Sequence, residues 1–390
     1  MAVPIIYNLR SIKARWATAI VAVAGIAGAV SVFVAMLGLA KGFQATLISS
    51  GSSDNAIVRQ AGSTSEMVSL IMRDEADIIS TAPGVARDSA GRPIVSAEAV
   101  VVISLPRRDT GTDANVQLRG VSEDAMQLRD SARVVAGRFF RAGTAELVVG
   151  TGVQRSIRGL QIGDRPKIGG REWQVVGVFD SGGSAFDSEL WVDVEVVLPT
   201  FNRPLGVYQS MTVRLTSPEV FQNFKDALTA DRRQKMTVER ELDYYEKQSR
   251  MVATVIRSLG FLVAFVMGIG AVFGALNTMY SAVAARGREI ATLRALGFRS
   301  GSIVASFVFE SLVIAFIGGM IGCTGSLGVN GMSVSTINWQ TFSHLAFAFR
   351  VTPALLAAGI AFALLMGFLG GLPPAIRATR LSVAAALREL

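Results

Sequence analysis

One histidine and one cysteine in 390 residues leave little for side-chain chemistry to work with. A disulfide framework needs paired cysteines, and a zinc or iron–sulfur site needs ligand clusters that these residues cannot assemble. Histidine-dependent acid–base or nucleophilic catalysis would rest on His344 alone. No Gly-Lys dipeptide occurs, so the loop that cradles nucleotide phosphates is absent and the chain is not expected to hydrolyse nucleotide by itself. Charge is scarce as well. Only 17% of residues are charged, against roughly 25% in a soluble domain, while 51% are hydrophobic. The surplus of 38 Lys+Arg over 30 Asp+Glu suits positive flanks on membrane spans, and no nucleic-acid partner is expected.

The long apolar runs supply what the charges do not. A helix needs about 20 apolar residues to cross a bilayer, and four stretches qualify: residues 17–40, 258–285, 307–327 and 351–376. Their many glycines, among them Gly318, Gly319, Gly322, Gly370 and Gly371, favour close helix approach in lipid. The first stretch is longer than the apolar part of a signal peptide, so it reads as an uncleaved anchor. Lys and Arg placement sets the orientation. Arg10, Lys13 and Arg15 precede the first span; Arg286, Arg288, Arg294 and Arg299 follow the second; Arg377, Arg380 and Arg388 follow the fourth. Residues 311–349 contain no charged side chain. Both termini and the middle loop should therefore face the cytoplasm, with the long segment after the first span outside.

That segment has the composition of an α+β module. Residues 94–105, 115–121, 146–150, 172–179 and 190–197 read as strands, and 65–80 and 218–228 as helices. Gly163-Asp164 and Gly169-Gly170 read as hairpin-type turns, and residues 107–113 as an exposed polar loop. Asp180, Asp187 and Glu189 lie around Gly182-Gly183, as a cation site or, in the reading preferred, a solvated loop before a strand. Residues 237–257 are charged, free of Gly and Pro, and run into the second span. A continuous helix over 237–285 would measure on the order of 70 Å, and it would serve as a rigid rod or merely as a connection.

A short amphipathic helix is expected between the second and third spans. Ile290, Leu293 and Leu296 can share one side, Arg288, Glu289 and Arg294 stay polar, and Gly297 supplies the left-handed stop. Such a helix fits the groove of a soluble partner or lies on anionic lipid.

Asn277-Thr278-Met279, Arg288-Glu289-Ile290 and Arg294-Ala295-Leu296-Gly297, in this order, resemble the coupling-helix segment of ABC transporter permeases of the MacB/FtsX/LolC type. Phe309-Glu310-Ser311-Leu312, Ile317-Gly318-Gly319 and Gly322 resemble that family's third span, and Pro374-Ala375, Arg377-Ala378 and Arg380-Leu381 its tail. Residues 163–179 are similar to its MacB-type periplasmic core domain.

The resemblance implies a four-helix membrane protein of the mechanotransmission class, with a large α+β extracytoplasmic domain between helices 1 and 2. It implies a non-catalytic inner-membrane subunit in transport or efflux, paired with itself or a paralogous permease. A cytoplasmic ABC ATPase would bind ATP and Mg, leaving no cofactor on this chain, and a periplasmic adaptor could join. Because the sequence starts almost directly at an interfacial segment, the ATPase is expected on a separate chain. Arg288, Glu289, Ile290, Leu293, Arg294, Leu296 and Gly297 are then the ATPase-coupling residues. Lipoprotein or lipid extraction of the LolC/E type is an alternative, as is a membrane receptor or regulator.

The expected division is an interfacial helix at 1–16, spans at 17–40, 300–328 and 351–374, a core domain at 41–236 and a stalk helix with the second span at 237–285. The coupling helix takes 286–299, a short external loop 329–350 and the tail 375–390. Ile5, Leu9, Ile12 and Trp16 recur at helical spacing opposite Arg10 and Lys13, as a helix along the inner leaflet requires. Glu310 is a carboxylate inside a span, expected to pair with an arginine near the cytoplasmic end or with a polar side chain across helices, or to act as a switch. His344 and Cys323 read as packing or interfacial residues.

Overall fold

The computed structural model describes residues 16–230, 235–337 and 343–380. The interfacial helix expected before Trp16 and the tail after Arg380 lie outside the described residues. Two compact units emerge: an α+β unit of Phe43–Ala253 with Ser333–Ala348, and a helical unit of the described residues up to Gly42, Thr254–Met332 and those from Phe349 onward.

The helical unit draws on α1 (Trp16–Ile48), α2 (Glu241–Ala285), the short α3 (Gly287–Ala295), α4 (Ser300–Leu327) and α5 (Pro353–Thr379). Four of these, all but α3, are long and apolar enough to cross a membrane. Lipid tails are as apolar as leucine, so such helices associate through close van der Waals contact and not through the hydrophobic effect. The contact is made by small residues. A side chain at Gly367 would collide with Ala315 and the Ser311 carbonyl, and one at Gly322 with the Ala27 carbonyl. Ser31 Oγ spans the α1–α4 seam to donate to the Gly322 carbonyl at 3.0 Å.

The fourth span was expected to close at Pro373-Pro374, yet α5 continues to Thr379. Its last turns are held by packing: Ala375 and Ala378 are fully buried against Met279, Ile303 and Phe307. That contact offsets the backbone donors that the prolines remove.

In the α+β unit, nine strands form one sheet: β1 (Asn55–Gln60), β2 (Val95–Pro106), β3 (Asp113–Val121), β4 (Arg133–Gly137), β5 (Glu146–Gly150), β6 (Gln174–Asp180), β7 (Glu189–Asp193), β8 (Ser210–Arg214) and β9 (Met236–Arg240). Their order is β9-β1-β8-β2-β3-β7-β5-β6-β4. The pairs β3–β7 and β5–β6 are parallel and the rest antiparallel. Residues 329–350, expected as a short loop, contain a further hairpin, β10 (Ser333–Ile337) and β11 (His344–Ala348). It rests on the unit through Ala346 N–H, which donates to Ser188 Oγ at 3.0 Å, and through Phe347 edge-on to Phe43.

Four local readings need correction. Residues 190–197 are not one strand: β7 ends at Asp193, whose carboxylate accepts the Glu195 N–H at 2.9 Å and starts a helix over Val194–Thr200. A capping carboxylate outweighs the β-branched run that follows it. Residues 65–80 are not one helix. Glu66–Val68 is a 3-10 turn, Ile71–Met72 is extended against Val207–Tyr208, and the helix begins at Arg73, where Glu75 accepts the Met72 N–H at 2.8 Å. The strand read over 172–179 breaks at Trp173, fully buried between the tight hairpin of Gly169-Gly170 (φ 59° and 80°) and β6. Finally, residues 237–240 are strand. Thr237 and Val238 pair with β1, and Arg59 holds Glu239 at 2.7 Å, so α2 starts only at Glu241.

Arg119 sits at the centre of this sheet. Its guanidinium reaches Glu66 at 3.0 Å, Glu98 at 2.7 Å and Glu189 at 2.8 Å, all within the interior. Arg129 takes the second oxygen of Glu98 at 2.6 Å and stacks on Phe186 and Trp191. Burial opposes the charge on Arg119, and Glu189, Glu66 and Glu98 outweigh it, holding the guanidinium well above its ordinary pKa.

Glu241, at the first turn of α2 and inside the α+β unit, is less well provided for. One carboxylate oxygen accepts from Asn55 Nδ2 at 2.8 Å and from Ser52 N–H at 3.1 Å, while the other, Oε1, has no partner. Burial pushes its carboxyl from 4.5 up to about 7, against the pull of Arg129 and Asn55 and with the charge of Glu98 adding to the rise. The folded chain thus keeps a proton between those values that the unfolded chain has released. Its stabilising effect is complete below pH 4.5 and is lost as pH rises through about 7. Glu241→Gln should match wild type near pH 4.5 and exceed it above pH 7 by up to roughly 3 kcal/mol. Thermal unfolding across this range checks it: equal slopes in both proteins would contradict the assignment.

Candidate functional site

Arg286 ends one helix and begins the next. With φ −111° and ψ 17° it leaves α2 after Ala285, and its carbonyl accepts the Ile290 N–H of α3 at 3.0 Å. The far end of α3 is closed by backbone geometry. Phe298 N–H donates to the Leu293 carbonyl at 3.1 Å and Gly297 N–H to the Arg294 carbonyl at 3.0 Å, with Gly297 at φ 91°. That is the paired-bond helix stop that a residue without Cβ adopts at no steric cost.

The Arg286 side chain turns inward. Its Nη1 lies 3.0 Å from Glu310 Oε2 on α4, its Nε donates to Glu289 Oε2 at 3.0 Å, and its guanidinium lies over the Phe307 ring. Arg286 and Glu310 are both buried, whereas the Glu289 side chain is 56% exposed. A buried carboxylate without a counter-charge is expensive, and a buried arginine equally so; together, with hydrogen bonds, they can be retained. The ion pair fixes where α3 leaves α2 relative to α4.

The expected apolar stripe divides. Ile290 is buried with Met279, Val283, Ile303 and Phe307 in the helical unit's own core. Leu293 is half-buried at the edge of a recess beside Ile303 and Phe307, while Leu296 is 70% exposed. Of the polar positions, Arg288 is exposed and Arg294 half-buried. The outward surface of α3 is therefore Arg288, Thr292 and Leu296 rather than Ile290. Glu310 does pair with an arginine near the end of a span. That arginine, Arg286, was legible only as one positive charge among several.

Elsewhere the acids around Gly182-Gly183 do not converge; the two glycines are exposed, while Ser181, Asp187 and Glu189 are buried. Asp187 is buried and accepts from Ser181 N–H at 2.6 Å and Gly183 N–H at 2.8 Å, closing the loop on itself. Glu189 belongs to the Arg119 cluster, and Asp180 lies 3.7 Å from exposed Arg133. No group of three His, Cys, Asp or Glu that could hold a metal occurs among the described residues. Cys323 is buried in the packing of α1, α4 and α5.

The MacB-like periplasmic core domain matches residues 19–231, and the FtsX-like permease C-terminal domain matches residues 261–383. The chain belongs to the MacB-like, FtsX-like family of ABC transporter permeases. Over 293 residues it is 26% identical to the uncharacterized ABC transporter permease YknZ of Bacillus subtilis (strain 168), covering 71% of this chain and 70% of that one. Over 400 residues it is 26% identical to the macrolide export ATP-binding/permease protein MacB of Brucella abortus (strain 2308), covering 97% of this chain but only 59% of that one. The solved extracellular domain of the noncanonic ABC-type transporter YknZ from Gram-positive bacteria is 17% identical, with a TM-score of 0.37, over 47% of this chain and 99% of that domain.

This permease is thus a membrane protein with a large extracellular domain, and α3, Arg286 and Glu310 all fall within its FtsX-like region. Removing one partner of a buried pair leaves the other unpaired, at a cost of about 3–5 kcal/mol. Arg286→Met should accordingly destabilise the purified permease strongly. Arg286→Met combined with Glu310→Met should recover most of that loss, because no charge is then buried alone. Thermal unfolding of the two singles and the double in one detergent checks the cycle; additive losses would mean that the pair does not hold the helices.

Proposed function

We propose that this permease is the non-catalytic membrane subunit of an ABC transporter and that it passes motion from a separate cytoplasmic ATPase to its extracytoplasmic domain. The observation that carries this reading is α2. It is one uninterrupted helix of 45 residues, about 68 Å at about 1.5 Å per residue, against a hydrocarbon core of about 30 Å. Its first turns belong to the α+β unit and the remainder to the helical unit. Arg286 and α3 follow it directly. A helix of that length moves as one body along its axis, which a flexible linker would not do.

The chain lacks a P-loop, so ATP and Mg would be held by the partner subunit. The exposed face of α3, with Arg288 and Leu296, offers that partner a basic group beside an apolar one. Lys and Arg placement favours a cytoplasmic α3 and cytoplasmic termini in a bacterial inner membrane, with the α+β unit outside. A second copy or a paralogous permease would complete the assembly, and an extracytoplasmic adaptor would extend it. The Brucella relative's name couples export with ATP binding, and export is the direction adopted here.

Two experiments test the reading. The reconstituted permease alone should turn over no ATP, and activity should appear with its ATPase. Leu296→Asp should abolish stimulation of that ATPase while leaving the unfolding temperature unchanged, whereas Ile290→Asp should lower the unfolding temperature, because Ile290 is core. Stimulation intact in Leu296→Asp would remove α3 as the docking element.

The second test concerns the rod. Gln248 and Ser249 are buried in the α+β unit, but Thr254 and Val255 are exposed, so flexibility can be introduced there without disturbing packing. Replacing Thr254-Val255 by Gly-Gly costs roughly 1 kcal/mol per residue in helix propensity, too little to unfold an anchored helix. ATP turnover should persist, while the nucleotide-dependent distance change between spin labels on two extracytoplasmic domains should vanish. The same distance change in wild type and variant would exclude transmission through α2.

A further inference from the structure

Three cations stand at the outer ends of the spans, where the rule that places lysine and arginine on the cytoplasmic side does not account for them. Lys41 follows the apolar run of α1, Arg257 precedes that of α2 and Arg350 precedes that of α5. Each belongs to the helical unit and lies a few residues from the place where the chain passes to or from the α+β unit. At the remaining passage, between Met332 and Ser333, there is no charged side chain. The α+β unit is extracellular, so these helix ends meet the outer leaflet.

Packing within the helical unit sets the three at one depth. A side chain at Gly260 of α2 would run into Met36 of α1, and the Phe33 and Phe261 rings lie 5.7 Å apart. Arg350 N–H donates to the Gly38 carbonyl of α1 at 3.1 Å. Arg257 is three residues outward of Gly260, Gly38 is two outward of Met36, and Lys41 is five outward of Met36. At about 1.5 Å per residue the three backbones share a band about 5 Å deep. All three side chains are exposed, and none has an ion pair among the described residues. The described carboxylates of the helical unit are Glu289 and Glu310, and both bond to Arg286, beyond the opposite end of α2.

Cations at that depth meet lipid phosphates. An apolar run ends where the hydrocarbon ends, and long basic side chains there extend into the headgroups. A phosphate accepts two parallel hydrogen bonds from a guanidinium. Three cations in one shallow band, with no carboxylate to compensate them, attract a headgroup whose phosphate is not balanced by an ammonium of its own. We propose that the outer ends of α1, α2 and α5 bind anionic phospholipid, with its phosphates on Lys41, Arg257 and Arg350. A free phosphate ion offers the same oxygens. The lipid is favoured because the cations border apolar surface: Leu259, Phe261 and Leu262 are exposed just inward of Arg257. The proposal rests on the extracellular placement of the α+β unit and not on the ATPase reading above.

The test uses the full chain in phosphatidylcholine nanodiscs doped with phosphatidylglycerol that carries a diazirine at the top of one acyl chain. Phosphatidylcholine with the same diazirine, at the same mole fraction, is the zwitterionic twin. Mass spectrometry of pepsin digests should show the anionic lipid on the peptides carrying Lys41, Arg257 and Arg350. Its labelling should exceed the twin's about fivefold at each, the worth of one cation at a lipid surface. Lys41→Gln, Arg257→Gln and Arg350→Gln should each bring that peptide down to the twin's level, while Arg257→Lys and Arg350→Lys should keep most of the excess. The three side chains are exposed and Arg350 is held through its backbone, so glutamine leaves the packing intact. Labelling near Arg377, at the opposite end of the bundle, should be the same in every variant. Equal labelling by the two lipids, or an excess that survives the triple glutamine variant, would overturn the proposal. So would labelling that is lost in sodium phosphate but kept in sodium chloride of equal ionic strength, which would assign the cations to free phosphate.

Discussion

Arg119 carries a full positive charge into the middle of the nine-stranded sheet, and the α+β unit is arranged so that the charge can remain there. Moving a guanidinium out of water costs several kcal/mol even after relaxation. Here it is met by Glu66 from a 3-10 turn, Glu98 from β2 and Glu189 from β7, while Arg129 takes the second face of Glu98. Four separate stretches of chain are therefore required to be in place at once. Trp191 and Gln117 donate to Glu189, and Ser210 to Glu66, so the carboxylates are themselves oriented. Replacing such a cluster by apolar side chains can be neutral in stability. What the charged version adds is selectivity: a slipped register in β2, β3 or β7 would strand at least one ion in the interior.

The sequence made the membrane part legible because its signals are local. Each apolar run is contiguous, the lysines and arginines bracket the runs, and Gly297 marks a helix end through its own backbone. Hairpin turns such as Gly169-Gly170 are legible for the same reason. Two of the misread stretches, residues 71–72 and 237–240, were instead decided by a partner distant in the chain. Residues 237–240 look like the start of the long helix, and they become strand because β1, some 180 residues earlier, offers an edge: Arg59 bonds to Glu239 across that separation. The break at Asp193 was nearer to legible, since aspartate is a favoured N-cap residue, but the run of valines concealed it.

The candidate site shows the same division. That α3 is a helix, that it is amphipathic and that it stops at Gly297 can be read from residues within one turn of each other. Which apolar residue faces inward cannot. Ile290, Leu293 and Leu296 fall within about 120° of one another on a helical wheel, and the positions of Met279, Ile303 and Phe307 bury the first and leave the last 70% exposed. Glu310 announced itself as a carboxylate in an apolar run. Its partner was one of four arginines in a short loop, and the choice of Arg286 depends on the bend that turns this side chain back toward α4.

The long helix is bounded at both ends by buried charge, though of different quality. Just beyond its last residue, Arg286 is matched by Glu310 at 3.0 Å, with Glu289 closing a second bond. At its first residue, Glu241 has two donors on one oxygen and none on the other. The first arrangement resists displacement, since moving either partner exposes an uncompensated ion. The second is tighter sterically than electrostatically. Gly51 lies so close to the backbone of Glu241 and Leu242 that no side chain fits between them, yet the carboxylate is held in a state that protonation relieves. If α2 is pushed along its axis, the end at Arg286 should carry the load and the end at Glu241 should be the one that yields, because there the folded structure loses least by moving. A rod of the kind proposed above would deliver its displacement at its softer end, which lies in the α+β unit.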